Sequence, residues 1–188
     1  MCGICGFVSR REIADTTLKI MNDTMYHRGP DDSGEEIYPG EDGYRIGFAQ
    51  RRLSIMDLSA LGHQPMHSEA SFGAGRDQIC IVFNGEIYNY RKIAKRLLDE
   101  KKVEHFRGTS DTEVLLEAME HIGIREAITM CKGMFAIALY DNKEKRLYLI
   151  RDRIGEKPLY YGFVNGSFVY ASDIGSIAAL DGFRNEIN

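Results

Sequence analysis

The chain has 188 residues, a hydrophobic fraction of 44%, a charged fraction of 28% and a formal net charge of −4. That length serves one large domain or one and a half small ones, enough to bury about 70% of the unfolded chain's apolar surface. The acidic balance leaves no basic footprint for nucleic acid. No apolar run approaches the roughly 20 residues of a membrane span, and the N-terminus lacks the regions of a signal peptide, so the chain reads as cytoplasmic.

In chain order, residues 3–9 predict a short apolar strand. Residues 12–25 carry helical spacing at Ile13, Leu18, Ile20, Met21 and Met25, and Gly29-Pro30 ends the helix. The acidic, glycine-containing stretch 32–43 reads as an exposed loop or short hairpin. Residues 44–50 alternate as a strand, and Arg51 to Asp57 continue it into a loop. Residues 59–77 read as irregular. Gln78 to Phe83 predicts a buried strand running into Asn84-Gly85, the best short turn dipeptide in the chain. Glu86 to Tyr88 resumes an extended pattern. Tyr90 to Lys101 predicts an amphipathic helix. A second runs from about Thr112 to His121, with Ser110 or Asp111 as its N-cap and Gly123 as its stop. A further helix is expected at 124–131. Strands follow at 134–141, 145–152, 158–163 and 167–171, then a short helix near 173–180.

The cysteines are Cys2, Cys5, Cys80 and Cys131. In an intracellular chain they do not form a disulfide framework. Cys2 and Cys5 have the spacing of half a zinc site, but no second closely spaced pair follows. His63 and His67 lie in a loop-like stretch, so no metal site is assigned. The flanking Gly3, Ile4, Gly6, Phe7 and Val8 make a strand, where a redox C-x-x-C motif would open a helix.

Cys2 has two readings. It is either a small buried strand residue or, once Met1 is removed, a thiol that carries its own α-amine. Reference pKa values of about 7.7–8.0 for the amine and about 8.5 for the thiol let the neutral amine act as a base. Asn84-Gly85-Glu86 is either a hairpin turn or an oxyanion hole made of an amide and an adjacent N–H. Arg51 or Arg52 is a surface charge or a bidentate clamp for a carboxylate. Asp111 is a helix cap or a partner for an ammonium group. His27 and His63 are read as structural, because the α-amine makes a histidine base unnecessary.

The motifs Met1-Cys2-Gly3-Ile4, His27-Arg28-Gly29-Pro30-Asp31, Arg52-Leu53-Ser54-Ile55, Gln64-Pro65-Met66, Asn84-Gly85-Glu86-Ile87-Tyr88-Asn89 and Ser110-Asp111-Thr112-Glu113 occur in order. They continue with Gly133-Met134-Phe135-Ala136 and Arg151-Asp152-Arg153-Ile154-Gly155-Glu156-Lys157-Pro158-Leu159-Tyr160-Tyr161. As an ordered set they resemble the glutaminase domain of the class II glutamine amidotransferases, which are N-terminal nucleophile hydrolases, and most closely its asparagine synthetase branch. The resemblance implies an α+β fold, a four-layer α/β/β/α sandwich of two mostly antiparallel sheets. It implies glutamine as substrate, Cys2 as nucleophile and base carrier, and Asn84 with Gly85 as oxyanion hole. Arg52 would bind the glutamine carboxylate, Glu86 and Asp111 its ammonium, and groups within Leu53, Ser54, Ile55 and Met56 would line the site.

The resemblance further implies that residues 1–188 are one glutaminase domain, the N-terminal part of a longer chain whose synthetase domain uses ATP and Mg to amidate a carboxylate. A homodimer is compatible with it. No Ser-Gly-Gly-x-Asp-Ser pyrophosphate loop occurs, so the domain itself is expected to need no cofactor. The family usually has Ala-Ser-Glu and then a Lys where this chain reads Ala171-Ser172-Asp173-Ile174-Gly175-Ser176. The alternatives are a non-catalytic regulatory or binding domain of the same fold, or an amidohydrolase acting on another amide.

Overall fold

Alternation along the strands sorts the apolar side chains into three cores, and the layers follow from that sorting. The computed structural model describes residues 1–11, 15–68 and 79–186. Strands β1 (Gly3–Ser9), β2 (Asp32–Pro39), β3 (Arg45–Arg52), β8 (Tyr160–Val164) and β9 (Ser167–Ala171) form an antiparallel sheet in the order β2-β3-β1-β9-β8. Strands β4 (Met66–His67), β5 (Ile79–Ile87), β6 (Gly133–Asp141) and β7 (Arg146–Arg151) form a second, in the order β4-β5-β6-β7.

Successive strand residues point to opposite faces. On β5, Cys80 and Val82 therefore pack with Ile4, Phe48, Ala136 and Tyr170 between the sheets. Ile81 and Phe83 pack on the other face with Leu97, Leu115 and Leu116. Those leucines come from α2 (Tyr90–Asp99) and α3 (Asp111–Ile122), which with α4 (Ile124–Met130) cover the four-stranded sheet. Phe7, Leu18, Met21, Val169 and Ile177 form the third core, where α1 (Asp15–Asp23) and α5 (Ile174–Ala178) cover the five-stranded sheet. The result is the expected α/β/β/α sandwich. No described helix is long and apolar enough to cross a membrane.

Two local alternatives are resolved. Of the loop and the short hairpin read at 32–43, the hairpin is nearer: residues 32–39 are a strand that turns back into β3. They form the edge β2 and pair along their whole length with β3; an edge strand with one wet face accommodates acidic residues. Asn84-Gly85 is not a hairpin turn. It lies inside β5, with Asn84 opposite Ala136 and Gly85 opposite Phe135. Helix α1 begins at Asp15, and expected positions 12–14 lie outside the described residues, as do 69–78 of the irregular stretch.

Candidate active site

The period of two carries chemistry as well as apolar groups. Asn84 follows Cys80 and Val82 onto the inter-sheet face of β5, and Cys2 precedes Ile4 on the same inner face of the opposing sheet. Both line one cleft of about 140 Å³. The thiol of Cys2 is fixed by the backbone of Leu53, whose N–H donates toward Sγ at 3.4 Å and whose carbonyl lies 3.7 Å from it. The Nε–H of Arg28 donates to the Cys2 carbonyl at 3.1 Å.

The availability of the Gly85 N–H follows from ladder parity. Opposite residues of antiparallel strands alternate between bonded and non-bonded pairs. Phe135 gives its N–H to the Asp152 carboxylate at 3.2 Å, and its carbonyl accepts from the Asp152 N–H at 2.9 Å. Phe135 thus faces away from β5, and Gly85 opposite it faces away from β6. Phe83 and Ile87 share that direction, and both N–H groups are taken. Phe83 donates to Gln64 Oε1 at 2.7 Å and Ile87 to Asp111 Oδ2 at 2.7 Å. Between them the Gly85 N–H opens on the cleft. A side chain at Gly85 would collide with the Met134 carbonyl, so this position requires glycine.

Asn84 is 1% exposed. Its amide donates to Ser172 Oγ over a long 3.4 Å. Ser172 Oγ also accepts the Ile4 N–H at 3.1 Å, and the Ser172 N–H donates to the Ile4 carbonyl at 2.7 Å. One serine thereby holds the amide and the strand that follows Cys2 in a common frame.

The charged groups sit on the other walls. Arg52 is buried and donates to the carbonyls of Ser59, at 3.0 Å, and Asp57. A guanidinium has five N–H donors in a rigid fork, so donors remain beyond those committed to the loop. Gly62 packs against the fork where any Cβ would collide. The Asp57 carboxylate braces the same loop, accepting from the N–H groups of Ser59 and Thr109, each at 2.8 Å. Burial raises its pKa, but the hydrogen bonds from Ser59 and Thr109 more than offset this and hold it down to about 2.

Ser110, not Asp111, caps α3: its Oγ accepts the Glu113 N–H at 3.2 Å. That frees the Asp111 carboxylate for the Ile87 N–H and the cleft. Burial, with a smaller contribution from the neighbouring Glu86, pushes Asp111 above the usual carboxylate range against the opposing backbone N–H groups. Glu86, Leu53, Ile55 and Met56 also line the cleft, with Ile55 and Met56 at its exposed rim. Ser54 does not line it; its N–H goes to Asp31 Oδ2 at 2.8 Å. His27 and His63 stand outside, against Asp173 and Asp32. Arg51 reaches Asp23 instead of the cleft.

Met1 lines the cleft, with Lys157 Nζ 3.1 Å from its sulfur. Lys157 is buried at the end of a loop wound around Asp152, whose carboxylate accepts the N–H groups of Ile154, Glu156 and Lys157. Sequence reasoning assigned no role to Arg28, Asp57, Lys157 or Ser172. Each has a partner far away in sequence — Cys2, Thr109, Met1 and Ile4 respectively — which leaves no local signal.

A larger groove of about 330 Å³ beside α1 contains no cysteine or histidine among its described lining residues.

Comparison with known proteins follows the same line. The family described as "Glutamine amidotransferase domain" matches residues 1–188. A putative glutamine-hydrolysing asparagine synthetase 2 of Methanocaldococcus jannaschii is 35% identical over 197 residues, covering 100% of this chain and 37% of that protein. Glutamine-hydrolysing asparagine synthetase 1 of Bacillus subtilis is 38% identical over 178 residues, covering 92% of this chain and 26% of its own length. The chain thus spans little more than a third, or less, of these relatives. The solved glutamine phosphoribosylpyrophosphate amidotransferase of B. subtilis shares the fold, with a TM-score of 0.76 at 18% identity over 95% of this chain and 43% of that one. With its whole length matched by that family, the chain belongs to the glutamine amidotransferase domain family.

Proposed function

We propose that this domain hydrolyses glutamine to glutamate and ammonia. The observation that carries the reading is the Gly85 N–H left open between two claimed neighbours, in the same cleft as the Asn84 amide and the Cys2 thiol. Removal of Met1 frees the Cys2 α-amine, which takes the thiol proton. The sulfur attacks the side-chain carboxamide carbon, and an S–C bond forms as the C=O becomes an oxyanion. Asn84 and the Gly85 N–H stabilise that charge. The α-ammonium returns its proton to the leaving nitrogen, and ammonia departs as the C–N bond breaks. Water then cleaves the γ-glutamyl thioester and regenerates the thiol.

Arg52 receives the substrate α-carboxylate, and Asp111 with Glu86 receives its α-ammonium. This pairing favours a free amino acid over an uncharged amide. The ammonia serves amidation of a carboxylate by a synthetase domain beyond these residues, where ATP and Mg would act; the names of the relatives and the fraction of their length matched here support this. Incubation of Met1-processed protein with glutamine is expected to release glutamate, with processing verified by intact mass. Activity that survives Cys2→Ala would sink the mechanism.

A further inference from the structure

We propose that Glu36, His67 and Cys80 form a metal site of the zinc class that ties the two sheets together. The site is independent of the cleft and is absent from the reading of function above. Glu36 lies on β2, the edge of the five-stranded sheet, whereas His67 on β4 and Cys80 on β5 belong to the four-stranded sheet. Their ligand atoms all lie within 4.8 Å of one another.

The arrangement converges on one point. His67 Nε2 is 2.9 Å from Glu36 Oε2 and 2.8 Å from the Tyr38 hydroxyl oxygen. Tyr38 in turn donates to Cys80 Sγ at 3.2 Å. A ring nitrogen offers one position, either a proton or a lone pair, yet two oxygens crowd this one. A cation held by the imidazole, the carboxylate and the sulfur uses a lone pair from each.

The donor set selects the metal class. Thiolate and imidazole together favour zinc over the hard cations that all-oxygen sites hold. Cys80 is 1% exposed, whereas the side chains of Glu36 and His67 are 40% and 32% exposed, so solvent reaches the carboxylate and ring side. That side admits the ion and leaves a position for water. Tyr38, donating to the sulfur, supplies the outer-shell hydrogen bond that orients a thiolate ligand. On binding, the Cys80 thiol proton leaves to solvent and the thiolate–metal bond replaces it.

The test uses the Cys2→Ala protein, which removes the competing N-terminal thiol, stripped with a chelator and titrated with Co(II). One equivalent is expected, giving tetrahedral ligand-field bands and a sulfur-to-cobalt charge-transfer band, both displaced by Zn(II). Zinc is also expected to raise Tm, because the ion bridges two sheets. Cys80→Ser should abolish the charge-transfer band. His67→Gln and Glu36→Gln should each weaken binding by more than the roughly 10–100-fold that loss of an outer-shell partner costs. Glu36 is half-exposed, so its variant reports on binding even if Cys80→Ser does not fold. Absence of the charge-transfer band, its persistence in a folded Cys80→Ser protein, or unchanged affinity in both Glu36→Gln and His67→Gln overturns the proposal.

Discussion

Replacing Asn84 with alanine separates catalysis from stability. The amide's recorded hydrogen bond runs 3.4 Å to Ser172 Oγ, and that oxygen keeps the Ile4 N–H at 3.1 Å after truncation. A long neutral hydrogen bond contributes at the lower end of about 0.5–1.5 kcal/mol. For a domain of this size, about 1 kcal/mol moves Tm by roughly 2–4 °C. The oxyanion forms only in the transition state, so the same truncation should cost about 3 kcal/mol there, or about 10²–10³ in kcat. KM for glutamine should barely change. Asn84→Asp keeps the side-chain shape but replaces donors with acceptors, and should be at least as impaired. Steady-state glutamate release, paired with a thermal melt of the same preparation, reads both quantities. A kcat within tenfold of the parent in a protein with an unchanged melt would refute the oxyanion assignment. So would a loss confined to KM.

Two further predictions rest on carboxylates with displaced pKa values. Asp111 must be ionised to hold an ammonium group, and its pKa is raised by burial. KM for glutamine should therefore rise as pH falls, beginning above the ordinary aspartate range. Asp111→Asn should raise KM by roughly 10–100-fold, the scale of a charged hydrogen bond, and flatten its pH dependence; a KM that is level with pH in the parent contradicts the role. Asp57 is displaced the other way, from 3.8 to about 2. Its stabilising contribution, about 2 kcal/mol, is complete above the unfolded value and is lost as pH falls through about 2. Urea melts of Asp57→Asn against the parent should differ by about that amount at neutral pH and converge in acid. A gap that does not shrink there would contradict the assignment.

The layers of this fold were implied by the family resemblance; the order of strands and helices agrees with them but would not have specified them. The run at 78–83 read only as a buried strand, because Cys80 and Val82 face one core and Ile81 and Phe83 the other, so no polar residue marks a face. Strand β2 read no more definitely than as a loop or short hairpin because an edge strand buries little. Of its residues only Gly34 and Tyr38 are buried, so its composition is that of a loop. Asn84-Gly85 misled for a related reason. Its local chemistry favours a turn, but pairing with Ala136 and Phe135 across β6 overrides that preference.

The site residues became readable only as an ordered set resembling a family. Spacing alone cannot place Cys2, Arg52, Asn84 and Asp111 in one cleft. Arg28 and Ser172 show the limit most clearly. Arg28 meets the Cys2 carbonyl 26 positions away, and Ser172 meets the Ile4 N–H 168 positions away. Any chain offers a carbonyl and an N–H at every step, so nothing in composition distinguishes the ones that are used.

Strand β5 allocates three same-side N–H groups to three different tasks. Phe83 anchors Gln64, Ile87 anchors Asp111, and Gly85 between them faces the cleft. Such an allocation is digital, because a residue one place along the strand points the opposite way. An inserted or deleted residue in β5 would turn the Asn84 amide out of the inter-sheet space and seal the Gly85 N–H into the ladder in a single step. Turnover by this domain is therefore a counter of strand register, able to report a slip that leaves the overall content of secondary structure unaltered.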